Sequence, residues 1–456
     1  MDQHRRTFLK ILGGAAGVGI ASQPLFRALA DPPAQASDEF FVLVHASGGW
    51  DVTVGLDPRN ERRGIIEPAN TSVCDTSAIR HWANQVLDDG TTTTFQTLQP
   101  PGTSLRLGPA IGNLYDYADR LSVFNGLAMN TVSHPDGTYF VSTGRHLAGG
   151  KPVAASIDTM LANEFGREQL LPSVSVGFPS TFVGQNLDAR VAPLRVASVA
   201  TVSRVLSRGN VNTTAGDRSA VTALLTQEAQ DLAARSYYRD ALTGFALQFQ
   251  SLPRMLAPDV QPIFNASGLA MAQPSFFPTP GLRFQAGAAV NCAFAVEAMK
   301  RNLVRCVSFA SGSHDTHSTN YRNQLLIQQE LFDTLANLLR ALDATPHPTR
   351  IGARLADHTH ILVVSDFCRT PQINLTSGRD HYPNGSALVI SPKFRGGTSF
   401  GSADPDQLLP QDAGTFADGT RAVGPADVLA TMLTAMGVDP RRYMRDGDVV
   451  RAMLRA

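Results

Sequence analysis

Glu39-Phe40-Phe41-Val42-Leu43-Val44-His45-Ala46-Ser47-Gly48-Gly49-Trp50-Asp51 is the stretch that decides the fold. Its apolar run lacks the alternation of a half-exposed strand and stops at a glycine turn. That pattern suits a strand buried on both faces, the first strand of a parallel sheet. Asp51 then falls just past the strand's carboxyl end.

Working outward, helical spacing is expected over 107–119, 136–147, 153–165, 216–250, 284–302, 319–343 and 426–436. Short apolar runs at 121–124, 304–310, 359–365 and 387–391 read as strands, and 172–215 as strand and loop. Alternating strands and helices predict a doubly wound α/β sheet, whose ligands bind beyond the carboxyl ends of the strands. Residues 53–103 read as an irregular insertion. A second insertion is expected over about 178–282, and its Pro-rich part, 251–282, reads as a surface excursion. The expected layout is a leader at 1–30 and one α/β domain over 31–456.

The chain has 456 residues, 43% hydrophobic and 17% charged, with no formal net charge. Disordered and coiled-coil classes are excluded by that balance. Nucleic acid is excluded as a partner because no cluster of Lys and Arg supplies a basic surface. The only basic segment is Arg5-Arg6-Thr7-Phe8-Leu9-Lys10, followed by the apolar stretch Ile11 to Ser22 and by Ala28-Leu29-Ala30. This is the three-part layout of an export signal, and it resembles the twin-arginine type. The expected location is therefore periplasmic or secreted, with the twin-arginine export machinery as a partner. No later run reaches the ~18 apolar residues of a membrane span. Cys74, Cys292, Cys306 and Cys368 form no Cys-x-x-Cys pair and read as buried thiols.

Acids and imidazoles follow the expected strand ends: Asp51, then His314, Asp315 and His317, then Asp366, with Asp380-His381 in the next loop. Each has a plain alternative. Asp51 could cap a turn, Asp315 could cap the helix beginning near Thr319, and Asp366 could brace a loop. Brought to one rim together, the carboxylates would repel one another unless a divalent cation joined them. Mixed Asp and His ligands suit zinc, manganese or iron, whereas an all-oxygen set suits magnesium or calcium.

Gly48-Gly49-Trp50-Asp51, Asp315-Thr316-His317-Ser318, Ser365-Asp366-Phe367-Cys368-Arg369-Thr370 and Gly378-Arg379-Asp380-His381, in that order and behind a twin-arginine signal, resemble one family. It is the alkaline phosphatase and sulfatase superfamily, in particular its branch of unknown function numbered 1501. The resemblance implies a three-layer α/β/α sandwich with a mostly parallel central sheet and a metal site at the strand ends. It implies Asp51, Asp315, His317, Asp366, Asp380 and His381 as metal residues. Phe367 departs from it, standing where the phosphatases have His and the sulfatases Asn. Asp315 and His317 are also closer in sequence than the phosphatase pair.

Ser133-His134-Pro135-Asp136-Gly137, with Thr143-Gly144-Arg145 downstream, is partly similar to the sulfatase nucleophile segment. Gly137 replaces the arginine that formylglycine formation requires. Ser133 is then the candidate nucleophile at a helix N-terminus, or a plain N-cap. His134 is a candidate catalytic group that competes as a metal ligand. Arg145 and Arg369 are candidates to grip an anionic substrate. The resemblance implies an exported metal-dependent hydrolase of phosphate or sulfate esters, acting on an anionic small molecule or polysaccharide. The alternative is an exported binding protein without catalysis that keeps the fold.

Overall fold

Strand β1 (Phe40–Ala46) is buried at every position, and its two faces belong to different layers. Phe40, Val42, Val44 and Ala46 enter one hydrophobic core, while Phe41 and Leu43 enter a second. A strand's side chains alternate across the sheet, so only a strand covered on both sides can be apolar throughout. The computed structural model describes residues 38–59, 78–82, 97–184, 187–202, 215–235, 254–255, 257–277 and 285–455. The expected leader at 1–30 lies outside the described residues, as does Cys74.

The other strands among the described residues are β2 (Leu121–Asn125), β3 (Leu171–Val176), β4 (Leu194–Val196), β5 (Val304–Ala310), β6 (Thr359–Ser365), β7 (Cys368–Arg369), β8 (His381–Tyr382), β9 (Ser386–Ile390), β10 (Thr398–Phe400) and the hairpin pair β11 (Gly414–Phe416) and β12 (Gly419–Arg421). Eight of them form one sheet in the order β10-β2-β9-β6-β1-β5-β3-β4, and β7 pairs with β8 in a separate hairpin. β1 lies parallel to both β5 and β6. β9 runs antiparallel to β6 and β2. It follows β6 through loops and the β7–β8 hairpin, with no helix to carry the chain back to the sheet's other end.

The helices are α1 (His134–Thr143), α2 (Ile157–Phe165), α3 (Ala215–Arg235), α4 (Ala266–Ala272), α5 (Ala286–Lys300), α6 (Asn320–Ala344) and α7 (Pro425–Ala435). α1, α2 and α7 bury Val141, Leu161 and Leu429 in the core of Phe41 and Leu43. α5 and α6 bury Phe294 and Leu335 in the core of Phe40 and Val42. The result is the three-layer α/β/α sandwich. No helix among the described residues is long and apolar enough to cross a membrane.

Two expectations need correction. The helix expected at 107–119 is a 3-10 segment, Pro109–Arg120, broken at Gly112 with φ 51°. A side chain at Gly112 would lie 2.3 Å from the Asp333 carboxylate, so this segment bends to lie tightly along α6. The Pro-rich stretch is no surface excursion in its described part, 257–277. Val260, Ile263, Phe264, Leu269 and Phe276 are buried in the main core. Pro262 and Pro274 open short 3-10 helices, where a missing N–H leaves nothing unsatisfied. In the insertion expected over 53–103, Val54 and Leu56 are buried. Cys292, Cys306 and Cys368 are free and buried.

Candidate metal centre at the strand ends

Because β1, β5 and β6 are parallel neighbours, the loops after them leave the sheet on one rim. The β1 turn fits only as glycine. Gly48 and Gly49 have φ of 99° and 79°, and a Cβ would meet the Asp315 backbone at 2.8 Å or the Phe367 ring at 2.8 Å respectively. Buried Arg369 ties the three loops together. Its Nε donates to Gly49 O at 2.8 Å, Nη1 to Arg379 O at 3.1 Å, and Nη2 to Gly48 O and, at 2.5 Å, to Asp315 Oδ1.

α1 brings the fourth piece. Gly137, in its first turn, packs so closely on the Asp366 backbone that a Cβ would lie 2.4 Å from Asp366 O. His134, the first residue of α1, thereby sets its Nδ1 2.6 Å from Asp366 Oδ2. Its ring leans on Phe367 and His381, with centroids 4.8 and 4.3 Å away.

Four ligand-type atoms converge here. His134 Nε2, His317 Nε2 and His381 Nε2 stand 3.7, 3.1 and 3.6 Å from Asp315 Oδ1. His317 Nε2 and His381 Nε2 are 2.9 Å apart, and one atom each from His134, Asp315 and His381 lies within 4.8 Å of the others. The opposite ring nitrogens fix what faces inward. His134 Nδ1 faces Asp366, His317 Nδ1 faces Asp380 Oδ1 at 2.7 Å, and His381 Nδ1 faces Val132 O at 2.9 Å. An ionised carboxylate and a carbonyl only accept, so each Nδ1 carries a proton, and a ring left neutral turns a lone pair inward.

Such a group of imidazole nitrogens and a carboxylate could hold a positive ion. His134 Nε2 is buried without a hydrogen-bond partner, and the His317 and His381 nitrogens are at hydrogen-bond distance. A tetrahedral cation with ~2.0–2.1 Å bonds holds its ligands about 3.3 Å apart, in the range these atoms show. The outer contacts are those that orient metal-bound imidazoles. Burial, with the Arg369 guanidinium nearby, lowers the His381 pKa. Burial raises the Asp315 pKa, but Arg369 and the histidines outweigh it, so the carboxylate stays ionised below its usual range.

The remaining sequence candidates sit elsewhere. Asp51 does not reach the cluster. Its carboxylate is fully buried, caps a turn through Thr53 N at 3.0 Å, accepts from Thr53 Oγ1 and Asn320 Nδ2 at 2.6 Å each, and pairs with buried Arg379 at 3.3 Å. Asp366 stands behind the cluster, holding His134 and accepting from Gly48 N at 3.0 Å. Asp380 likewise orients His317 from outside. Arg369 is spent on carbonyls and on Asp315, so it is no anion clamp. Arg145 lies just past the far end of α1, which has 10 residues and is ~15 Å long, and pairs with exposed Asp446. Ser133 occupies the N-cap position of α1, yet its side chain makes no capping bond.

The sequence reading missed His45. Its Nε2 lies 2.6 Å from Asp366 Oδ1. It sits inside β1, among residues that read as pure core, and no spacing rule marks it.

Residues 42–449 match the model of a family described as "Protein of unknown function (DUF1501)". No curated protein matches the chain. Solved structures similar to it include an alkaline phosphatase from the Antarctic bacterium TAB5, at 8% identity and TM-score 0.32 over 88% of this chain and 99% of that one. A protein in the alkaline phosphatase superfamily from Vibrio parahaemolyticus aligns at 10% identity and TM-score 0.30, covering 96% and 76%. A sulfatase from Pseudoalteromonas sp. aligns at 11% and 0.31, covering 100% and 76%. The assignment of the centre rests on its own atoms, and the family match, which spans nearly all of the described chain, makes this protein a member of the DUF1501 family.

Proposed function

We propose that this protein is an exported hydrolase of phosphate or sulfate esters that depends on one divalent metal ion. The observation that carries the reading is the convergence of three Nδ1-protonated histidines and Asp315 beside Ser133 at the mouth of a parallel sheet. His134, His317, His381 and Asp315 would hold the ion. When bound, it would supply Lewis acidity, lowering the pKa of a hydroxyl or water and stabilising the oxyanion that forms. A set of three nitrogens and one oxygen favours zinc, manganese or iron over magnesium or calcium.

Ser133 contributes the candidate nucleophile. Its hydroxyl is not used for capping, it is exposed, and it is bonded in sequence to His134 on one side and to Val132, which orients His381, on the other. The α1 N-terminus favours a negative group at this position. Export is supported by the Arg5-Arg6-Thr7-Phe8-Leu9-Lys10 segment ahead of the apolar stretch.

The test is metal analysis of protein recovered from the exported fraction, followed by turnover of aryl phosphates and aryl sulfates. Near-stoichiometric metal, with activity lost in His381→Ala and Ser133→Ala, is the expected result. Metal-free protein, or turnover unchanged in both variants, refutes the proposal. That neither Arg145 nor Arg369 is free to grip an anion favours a second reading, a binding protein that keeps the ion. Bound metal without turnover of any ester would support it.

A further inference from the structure

His45 Nε2 and Asp366 Oδ1 are 2.6 Å apart, with both side chains 2% exposed, and neither atom has a hydrogen-bond partner. On the other side of the imidazole, Nδ1 is 3.0 Å from Ser47 Oγ, and the ring face meets Phe178 at 5.3 Å. Register explains the reach. His45 lies opposite Val364 and Ala46 opposite Ser365, so His45 in β1 flanks the residues that lead β6 into Asp366.

A consistent polarity runs through these groups. The Asp366 carboxylate only accepts, so His134 presents Nδ1–H to one oxygen, while His45 Nε2 is set against the other. Ser47 can donate its hydroxyl to the bare His45 Nδ1. Asp366 is thus held from two sides, while Gly48 N donates to Oδ2 at 3.0 Å. Without His45, Oδ1 would be a buried carboxylate oxygen with nothing facing it, and the carboxyl group could turn away from His134.

We infer that His45 is a positioning residue of the centre: it holds Asp366 so that His134 keeps its proton on Nδ1 and turns Nε2 inward as a lone pair. This rests on the metal reading for its effect on affinity, but not for its effect on the His134 tautomer. Residues that orient metal-bound histidines typically change affinity about 10–100-fold when lost, and His45 acts one bond further out, so about 10-fold is expected.

The experiment uses the full mature chain and zinc as the probe. Competition against a chelator measures affinity, and imidazole nitrogen NMR of the metal-free protein reads the His134 tautomer. His45→Leu, which keeps volume but removes the donor, should bind zinc about 10-fold more weakly and lose the pure Nδ1–H tautomer at His134. His45→Gln, which replaces the donor, should restore both. If the parent chain binds no zinc, the proposed function falls, and the tautomer readout alone decides the role of His45. Should His45→Leu fail to fold, Ser47→Ala leaves the ring in place without its Nδ1 partner and should move both readouts in the same direction. A folded variant lacking the His45 donor or its Ser47 partner that keeps parental zinc affinity and the parental tautomer overturns the inference.

Discussion

Asp51→Ala should damage stability and spare metal binding, whereas His381→Ala should do the reverse. Asp51 and Arg379 are both fully buried and 3.3 Å apart. Arg379 would keep its bonds to Thr53 Oγ1 and Tyr321 Oη, at 3.1 and 3.0 Å, and its place over the Tyr321 ring. It would lose the Asp51 carboxylate, and breaking a buried pair costs about 3–5 kcal/mol. His381 is partly exposed, and truncating it removes a ring that leans on Phe367 and His134 without stranding a charge. The assay is urea unfolding with and without zinc. An ion at 1,000 times its dissociation constant stabilises the folded state by about 4 kcal/mol. Asp51→Ala should keep that increment on a baseline lowered by the cost above, and His381→Ala should lose most of the increment while its metal-free baseline changes less. A folded Asp51→Ala protein with no zinc increment refutes the placement of Asp51 outside the centre.

Three further outcomes follow from the same geometry. Gly137→Ala drives a methyl to 2.4 Å from Asp366 O, so it should cost about 1–3 kcal/mol and weaken zinc binding through His134, both visible in the assay above. At the other end of the sheet, burial raises the Glu39 pKa, but His360 and His358 bind the carboxylate at 2.9 and 3.0 Å and bring it down to about 2 from 4.5. A depressed acid stabilises the fold above its unfolded pKa, so about 3 kcal/mol should be lost between pH 4.5 and 2, and Glu39→Gln should flatten that part of the stability profile. Arg145→Ala should leave ester turnover and zinc affinity unchanged and shift stability by less than about 1 kcal/mol, because its pairing with Asp446 is exposed. Lost turnover in folded Arg145→Ala would place it at the substrate after all.

The architecture was legible wherever burial imposed a pattern. β1, β5 and β6 are covered on both faces, and each reads as a mostly apolar run. The direction of β9 did not show, because a short apolar strand looks the same whichever way it runs. Nor did the 3-10 character of Pro109–Arg120: its apolar spacing is helical, but Gly112 must admit the Asp333 carboxylate. At the site, Asp315, His317, His381 and His134 could be nominated because they follow strand ends or open a helix. Asp51 and Asp366 were nominated by the same rule and perform other work. A carboxylate beyond a strand end looks identical in sequence whether it meets an ion, an arginine 328 residues later, or two imidazoles.

The reason for a cation therefore changes between sequence and structure. The sequence suggests crowded carboxylates whose repulsion an ion would relieve. Folding disperses them instead: Asp51 goes to Arg379, Asp366 lies between His45 and His134, and Asp380 goes to His317. Asp315 alone reaches the cluster, already partnered by Arg369. On the proposed reading, an ion would instead be held by imidazole nitrogens whose Nδ1 sides face acceptors outside the cluster. Those acceptors make the centre nitrogen-rich, and a nitrogen-rich centre selects softer divalent ions than a cage of carboxylates would. Asp366 and Asp380 would thus influence which ion binds without touching it.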